Sequence, residues 1–466
     1  MKRKMNLIVM ICFVACLMLS SCHADSDAFF PQTEGKWTMG FASTEIALPT
    51  DSEQPLYIAG YRQGAEVEGV LDLQRASALW LDTGSEGVLL IGIDCVGLSS
   101  GTVQTIRERL KDFCHEVGCA AVNVYSTHTH AGVDTLGLWG NVAQSGKNDD
   151  FMENLIDSAV NSAKLAYERR TAGKLHYGEI LTEGLQEDSR RPSVYDAMLH
   201  HLRFAPDDGS NGVRMLFYAA HAESLRSDNR KVSRDFPGVA ADIIKQQTGD
   251  ETMYLPGAIG GLIMTPILTT GEFDAEENLQ LTGERLADYA LCITKESERE
   301  ITPSIAYATQ TFEAPLDNTL CMYYRFLGIL DTRAQAGDGA TGYSLISSVS
   351  LLQLGDIVLT LLPCEIFPEL VYGDASLTEQ DPTPLCEMAA AYGIQNMLIV
   401  GLCNDELGYV VPPSDFMIAD TLPYVNTVED ETGENHYEET NSLGPKTAFC
   451  IADAFEACLH MLTERS

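Results

Sequence analysis

The chain has 466 residues, 45% of them hydrophobic, and 67 acidic against 30 basic side chains give it a formal net charge of −37. That length and apolar content can bury a large core, as one big α/β unit or as two or three domains, and exclude a disordered chain. The acidic balance argues against nucleic acid, which demands a basic footprint, and against simple electrostatic docking on anionic lipid.

In chain order, Lys2, Arg3 and Lys4 precede an apolar run over 5–19 that is too short to span a bilayer comfortably, the pattern of an export signal. The run ends in Leu19-Ser20-Ser21-Cys22, which resembles the lipobox of bacterial lipoproteins. Cleavage there would leave a lipidated Cys22 and an extracytoplasmic protein tethered to the bacterial cell membrane, with 23–38 as a spacer. A strand is predicted over 88–98, then a helix over 103–117 with Ile106, Leu110 and Phe113 at helical spacing. A second strand over 121–126 completes a right-handed βαβ unit. A helix over 151–169 follows, then strands over 175–181, 198–204 and 213–220, the last two joined by an Asp207-Asp208-Gly209 turn. Helices are predicted over 235–247, 275–295, 379–392 and 445–462. The fold class read from this alternation is α/β (mixed α+β), mixed β-sheets flanked by helices with a metal site at strand carboxyl ends. Neither a repeat nor a low-complexity linker interrupts it, and 299–304 would be a subdomain joint. Of thirteen cysteines, three lie in the leader and the rest are scattered without a CxxC pair, which speaks against a cysteine zinc cluster. Cys114 and Cys119 could be bridged, while most of the others read as small buried hydrophobes.

The chemistry concentrates where apolar runs stop. AVNVYSTHTH (121–130) ends in His128 and His130, which an extended chain turns to the same side, a geometry suited to a metal. Two histidines also describe an ordinary polar loop start, since a zinc site takes three or four ligands. Three more runs end alike: 213–220 at His221, 356–364 at Glu365, and 397–403 at Asn404, Asp405 and, shortly after, Tyr409. Sites of open α/β sheets form outside strand carboxyl ends, so four such ends could supply one zinc site. Glu365 sits between VLTLLPC and IFPEL, where an unpaired carboxylate is expensive to bury and a nearby cation would remove the cost. The alternatives are a hydrogen-bonded core histidine for His221 and a core aromatic for Tyr409.

With these residues in place, the chain resembles the catalytic domain of the neutral/alkaline, non-lysosomal ceramidases. STHTHAGVD resembles ATHTHSGPGG of that family, FYAAHAESL followed by SRDFPGVAADII its second histidine segment, and LLPCEIFPEL its PGEF stretch. GLCNDELGYVVPPSDF is similar to GLSNxYxxYVTTxEEY, HYEETNSLGP to YEGASTxxGP, and GFASTEIALP with IAGY to the opening strand and Gly-Tyr turn. The resemblance spans residue 40 to the C-terminus, so that 39–466 reads as one ceramidase-like catalytic domain without the family's C-terminal immunoglobulin-like domain.

The resemblance implies a zinc-dependent hydrolase that splits the amide of ceramide or a related N-acyl lipid. Zinc would be held by His128, His221, Glu365 and Tyr409, with His130 beside it as a catalytic or substrate-orienting group. Two departures limit the match. AIGGLIMTPI (258–267) stands where the family has Gly-Asp-x-Ser-Pro-Asn, leaving Thr265 as the only hydroxyl in place of a catalytic serine, and Ala131-Gly132-Val133-Asp134 replaces a glycine-proline loop. Asp94 would orient a ligand histidine or cap its strand, and Arg190 with Arg191 would bind an anion or form a solvated loop pair. Glu438, Glu439 and Asn441 fall in a site-lining loop of the family. Two other functions stay open: a zinc hydrolase of a different N-acyl or ester substrate, and a non-catalytic surface lipoprotein that binds lipid or glycan.

Overall fold

The structure, a computed structural model, describes residues 28–464 apart from Thr432. The export signal and Cys22 lie outside the described residues. Two large mixed sheets form the centre. The first runs, from edge to edge, through Glu251–Pro256, Val213–Tyr218, Met198–Pro206, Thr171–Leu181, Thr38–Glu45, Arg75–Asp82, Gly87–Ile93 and Cys119–Ser126, with Arg299–Ile301 beside Thr171–Leu181. The outermost pairs at both ends are parallel and the middle is antiparallel. The second sheet orders Ala28–Glu34, Ser304–Leu316, Tyr343–Leu354, Ile357–Leu361 and Asn396–Val400, the last two parallel.

The sheets pack face to face. Leu79, Leu81, Val88 and Leu90 of the first meet Ile305, Leu352, Leu359 and Leu398 of the second in one apolar core. Alternate residues of the same strands face outward: Ala78, Trp80, Leu89 and Ile91 pack under the helices Ser100–Val117 and Asp149–Glu168. The far face of the second sheet is covered by Thr447–Glu464, through Ile451, Phe455 and Leu459. Four layers result, helix, sheet, sheet, helix, and strands such as Gly87–Ile93 are buried on both faces, which is why they read as unbroken apolar runs.

The expected βαβ unit is present as Gly87–Ile93, Ser100–Val117 and Cys119–Ser126. Ser99 caps its helix by accepting from the Thr102 N–H, and Gly118 ends it in the left-handed region at φ 70°. Three expectations need correction. The stretch taken as a spacer carries the strand Ala28–Glu34, paired antiparallel with Ser304–Leu316, and Trp37 behind it is buried with its indole N–H on the Ile301 carbonyl at 2.9 Å. The helix expected over 379–392 shrinks to Leu385–Ala391, because Pro382 and Pro384 lack a helical donor and disfavour α backbone in the residue before them. The 299–304 stretch is the crossover by which the chain leaves the first sheet, after Arg299–Ile301, and enters the second at Ser304–Leu316. Cys114 and Cys119 are free thiols, as are the other described cysteines.

Candidate metal centre

Four strands release the chain at one rim. Cys119–Ser126 leads to His128 and His130, Val213–Tyr218 to His221, Ile357–Leu361 to Glu365, and Asn396–Val400 to Tyr409. Backbone hydrogen bonds lace the loops together: His130 N–H to the Ala222 carbonyl at 2.9 Å, His221 N–H to Ile263 at 2.8 Å, and Cys403 N–H to Leu362 at 2.8 Å. Glu365–Ile366 and Tyr409–Val410 form a two-stranded parallel ribbon in which Glu365 lies directly opposite Tyr409. Distant segments are thus fixed by the main chain before any side-chain chemistry enters.

The ring orientations are set by carbonyls. His128 Nδ1 lies 2.6 Å from the Val96 carbonyl and His221 Nδ1 lies 2.8 Å from the Ile263 carbonyl. A carbonyl only accepts, so both Nδ1 atoms carry the proton that donates, and the two Nε2 lone pairs are left facing inward. They converge on Glu365 Oε2, at 3.3 Å from His128 and 3.0 Å from His221. Three acceptors around one point require a cation among them, whether proton or metal. His130 Nε2 stands 3.1 Å from His128 Nε2, and one nitrogen of each of the three imidazoles lies within 4.8 Å of the others. The donor set of imidazole and carboxylate fits zinc or another divalent transition metal.

Electrostatics follow from this crowding. Burial by itself would raise the Glu365 carboxyl, but His128 and His221 beside it outweigh that and hold it far below the usual carboxylate range. Burial would lower His221, but its hydrogen bond and attraction to Glu365 prevail and raise it. For His130 the balance is reversed: burial, then repulsion from His128 and His221, outweighs the pull of Glu365, pushes it well below 6.5 and keeps it neutral. Tyr409 hydrogen-bonds Glu365, and burial with that carboxylate nearby drives its phenol well above 10.

The cluster forms the floor of a cavity of about 650 Å³ with an apolar wall that includes Leu136, Trp139, Met264, Ile267 and Leu407. Such a lining suits a hydrophobic ligand with one polar reacting group. Gly60 lets His130 approach: its φ is 109°, and a side chain there would run into the His130 ring at 2.6 Å.

The structure gathers His128, His130, His221, Glu365 and Tyr409, and Asn441 also lines the cavity. Other candidates go elsewhere. Thr265 is fully buried with its hydroxyl 3.5 Å from Ser224 Oγ, while the neighbouring Met264 faces the cavity. Asp94 touches no ligand histidine: it accepts from Arg75 N–H at 3.0 Å just past its strand, and burial raises its carboxyl to about 6. The orienting role falls to the Val96 and Ile263 carbonyls instead. Asp405 caps the helix Ser100–Val117 through Ser100 N–H at 2.7 Å, and Asn404 accepts from Val124 N–H at 3.0 Å. Arg190 is no solvated loop residue. It is buried and bonded to Glu438 at 2.9 Å, Glu439 at 3.1 Å, Asp415 at 2.8 Å and His436 at 2.8 Å, which removes Glu438 and Glu439 from the cavity. Arg191 stays at the surface.

Sequence reasoning missed Glu223, Tyr61 and Glu406. Glu223 Oε2 lies 3.7 Å from His130 Nδ1 and accepts from the Tyr61 hydroxyl, and Tyr61 meets the His130 ring edge-on at 5.1 Å. The only signal was proximity in sequence, Glu223 two residues after His221 and Tyr61 beside Gly60.

No family model matches the chain, and no curated protein does. Among solved structures, the neutral ceramidase from Pseudomonas aeruginosa superposes with a TM-score of 0.73 at 16% identity, over 93% of this chain and 75% of that one. A ceramidase complexed with C2 gives 0.71 at 16% identity, over 93% and 76%. The chain therefore has the fold of the neutral ceramidases, with a three-histidine cluster able to hold a metal at its strand ends.

Proposed function

We propose that this protein is a zinc-dependent hydrolase that cleaves the amide bond of ceramide or a related N-acyl lipid to a fatty acid and an amine. The observation that carries the reading is the convergence of two bare imidazole Nε2 atoms on the Glu365 carboxylate in a largely apolar cavity of about 650 Å³. Support comes also from the ceramidase fold. His128, His221 and Glu365 would hold the ion with Tyr409 as fourth ligand. A bound divalent ion supplies an acidified water and polarises the scissile carbonyl. The apolar wall takes the acyl chain and excludes bulk water from the floor. His130, neutral and with one bare ring nitrogen, would take a proton from the attacking water and return it to the leaving amine. Thr265 has no part in this scheme.

A second ligand set is favoured by one observation, the mutual approach of all three histidines within 4.8 Å. In that arrangement His130 replaces Tyr409 as a ligand. Metal analysis of the purified protein and hydrolysis of a fluorescent N-acyl sphingoid test the reading: stoichiometric zinc with chelator-sensitive turnover is expected, and a metal-free active protein would refute it. Weaker zinc binding in His130→Ala than in Tyr409→Phe would favour the all-histidine set. We also propose tethering at Cys22, checked by labelling cells with a radioactive fatty acid.

A further inference from the structure

Four described residues carry a buried carboxylate oxygen with no hydrogen-bond partner: Glu369, Asp405, Glu406 and Glu439. Only Glu406 lines the cavity. Its other oxygen is engaged, accepting from the Gly408 N–H at 2.9 Å, which leaves Oε2 without a donor. Most buried acceptors in folded proteins have a donor, and one that lacks it beside a cavity can take it from a ligand. The remaining charges around the cavity make that donor's sign plain. Among the described residues lining it, Glu187, Glu223, Glu365 and Glu406 outnumber Arg226 and Arg325. Arg226 is tied to Glu223 at 3.5 Å and to the Thr265 carbonyl at 2.5 Å, and Arg325 donates to the Thr332 carbonyl. Glu365 is taken up by the histidines. An excess of one sign of charge along a cleft favours ligands of the other sign.

We propose that Glu406 is a specificity-determining residue that binds a cationic ammonium group on the amine side of the substrate, so that the preferred substrates are N-acyl derivatives of an amine bearing a second, protonated nitrogen. This rests on the hydrolase reading and narrows its substrate class.

The test uses the full, zinc-loaded protein with three fluorescent dodecanoyl amides of matched length, those of 1,3-diaminopropane, 3-aminopropanol and β-alanine. Turnover is read as kcat/KM, and binding separately by fluorescence anisotropy. The wild type is expected to favour the ammonium probe over the hydroxyl probe by about tenfold and over the carboxylate probe by about 100-fold. Glu406→Gln keeps an acceptor for the Gly408 N–H and is expected to melt near the wild type and retain its zinc, while the ammonium-to-hydroxyl ratio falls to about one. A wild type without ammonium preference, a ratio that survives in the variant, or loss of zinc in the variant overturns the proposal. If no probe is cleaved, the hydrolase reading fails, and the anisotropy order still decides whether Glu406 selects an ammonium.

Discussion

Two buried polar clusters in this protein use nearly the same side chains to opposite ends. At the cavity floor, His128, His130, His221 and Glu365 point lone pairs at one another. Behind the cavity wall, Arg190 and His436 sit among Glu438, Glu439 and Asp415. The second cluster contains its own cation, a guanidinium whose fork bonds one oxygen of each of three carboxylates, so it is closed and structural. The first has no covalently attached cation to place between its acceptors, and it opens on a cavity. A buried histidine or glutamate is therefore uninformative alone; what separates a site from a strut is whether the neutralising charge is built in.

Substitutions can break or sharpen this contrast. The largest effect is expected at the open cluster: His128→Ala should abolish zinc binding and lower turnover by about 10³-fold or more, measured by metal analysis and amide hydrolysis. At the closed cluster, Arg190→Met should cost about 3–5 kcal/mol in urea unfolding by leaving carboxylates unpaired, while the purified protein keeps its zinc. Loss of zinc there would erase the distinction. Glu369, beside the closed cluster, tests its electrostatics through pH. Burial raises its carboxyl from 4.5 to about 7, so the folded chain holds a proton that the unfolded chain releases, and stability declines as pH climbs between those values. Glu369→Gln should stabilise the protein by about 2 kcal/mol at pH 8 and leave it unchanged near pH 4, read from melting curves at both pH values. Tyr409→Phe is expected to weaken zinc by about tenfold in a competition titration with a chromophoric chelator. The smallest effect is expected at Thr265, where removal of the hydroxyl in Thr265→Val should change kcat/KM by less than about threefold, because that hydroxyl faces Ser224.

Much of the layered fold was legible because its central strands are covered on both sides and so appear as uninterrupted apolar runs, 88–93 among them. The imidazoles and Glu365 stood out for the same reason, as polar residues at the ends of those runs. Residues whose surroundings come from remote segments did not. Glu223 and Tyr61 meet at His130 across 162 positions of chain, and Arg190 reaches its carboxylates from about 225 to 249 positions away, so nothing local marks either as buried. Trp37 was hidden similarly, since its partner is the Ile301 carbonyl on the crossover between the sheets. Asp94 misled because a carboxylate near a histidine-bearing loop suggests a partner, whereas main-chain carbonyls had already claimed both imidazole N–H groups.

Around the histidine cluster the backbone adopts left-handed turns at residues with side chains: φ is 63° at His128, 60° at Arg226, 57° at Leu262, 50° at Leu402 and 70° at Asn404. Each costs an L-amino acid on the order of 1 kcal/mol or more, and persists only where its surroundings over-determine it. The isolated segments would relax into other shapes and scatter their imidazoles. Ion capture would accordingly come after the scaffold has closed, the reverse order from small finger domains that collapse only when metal arrives.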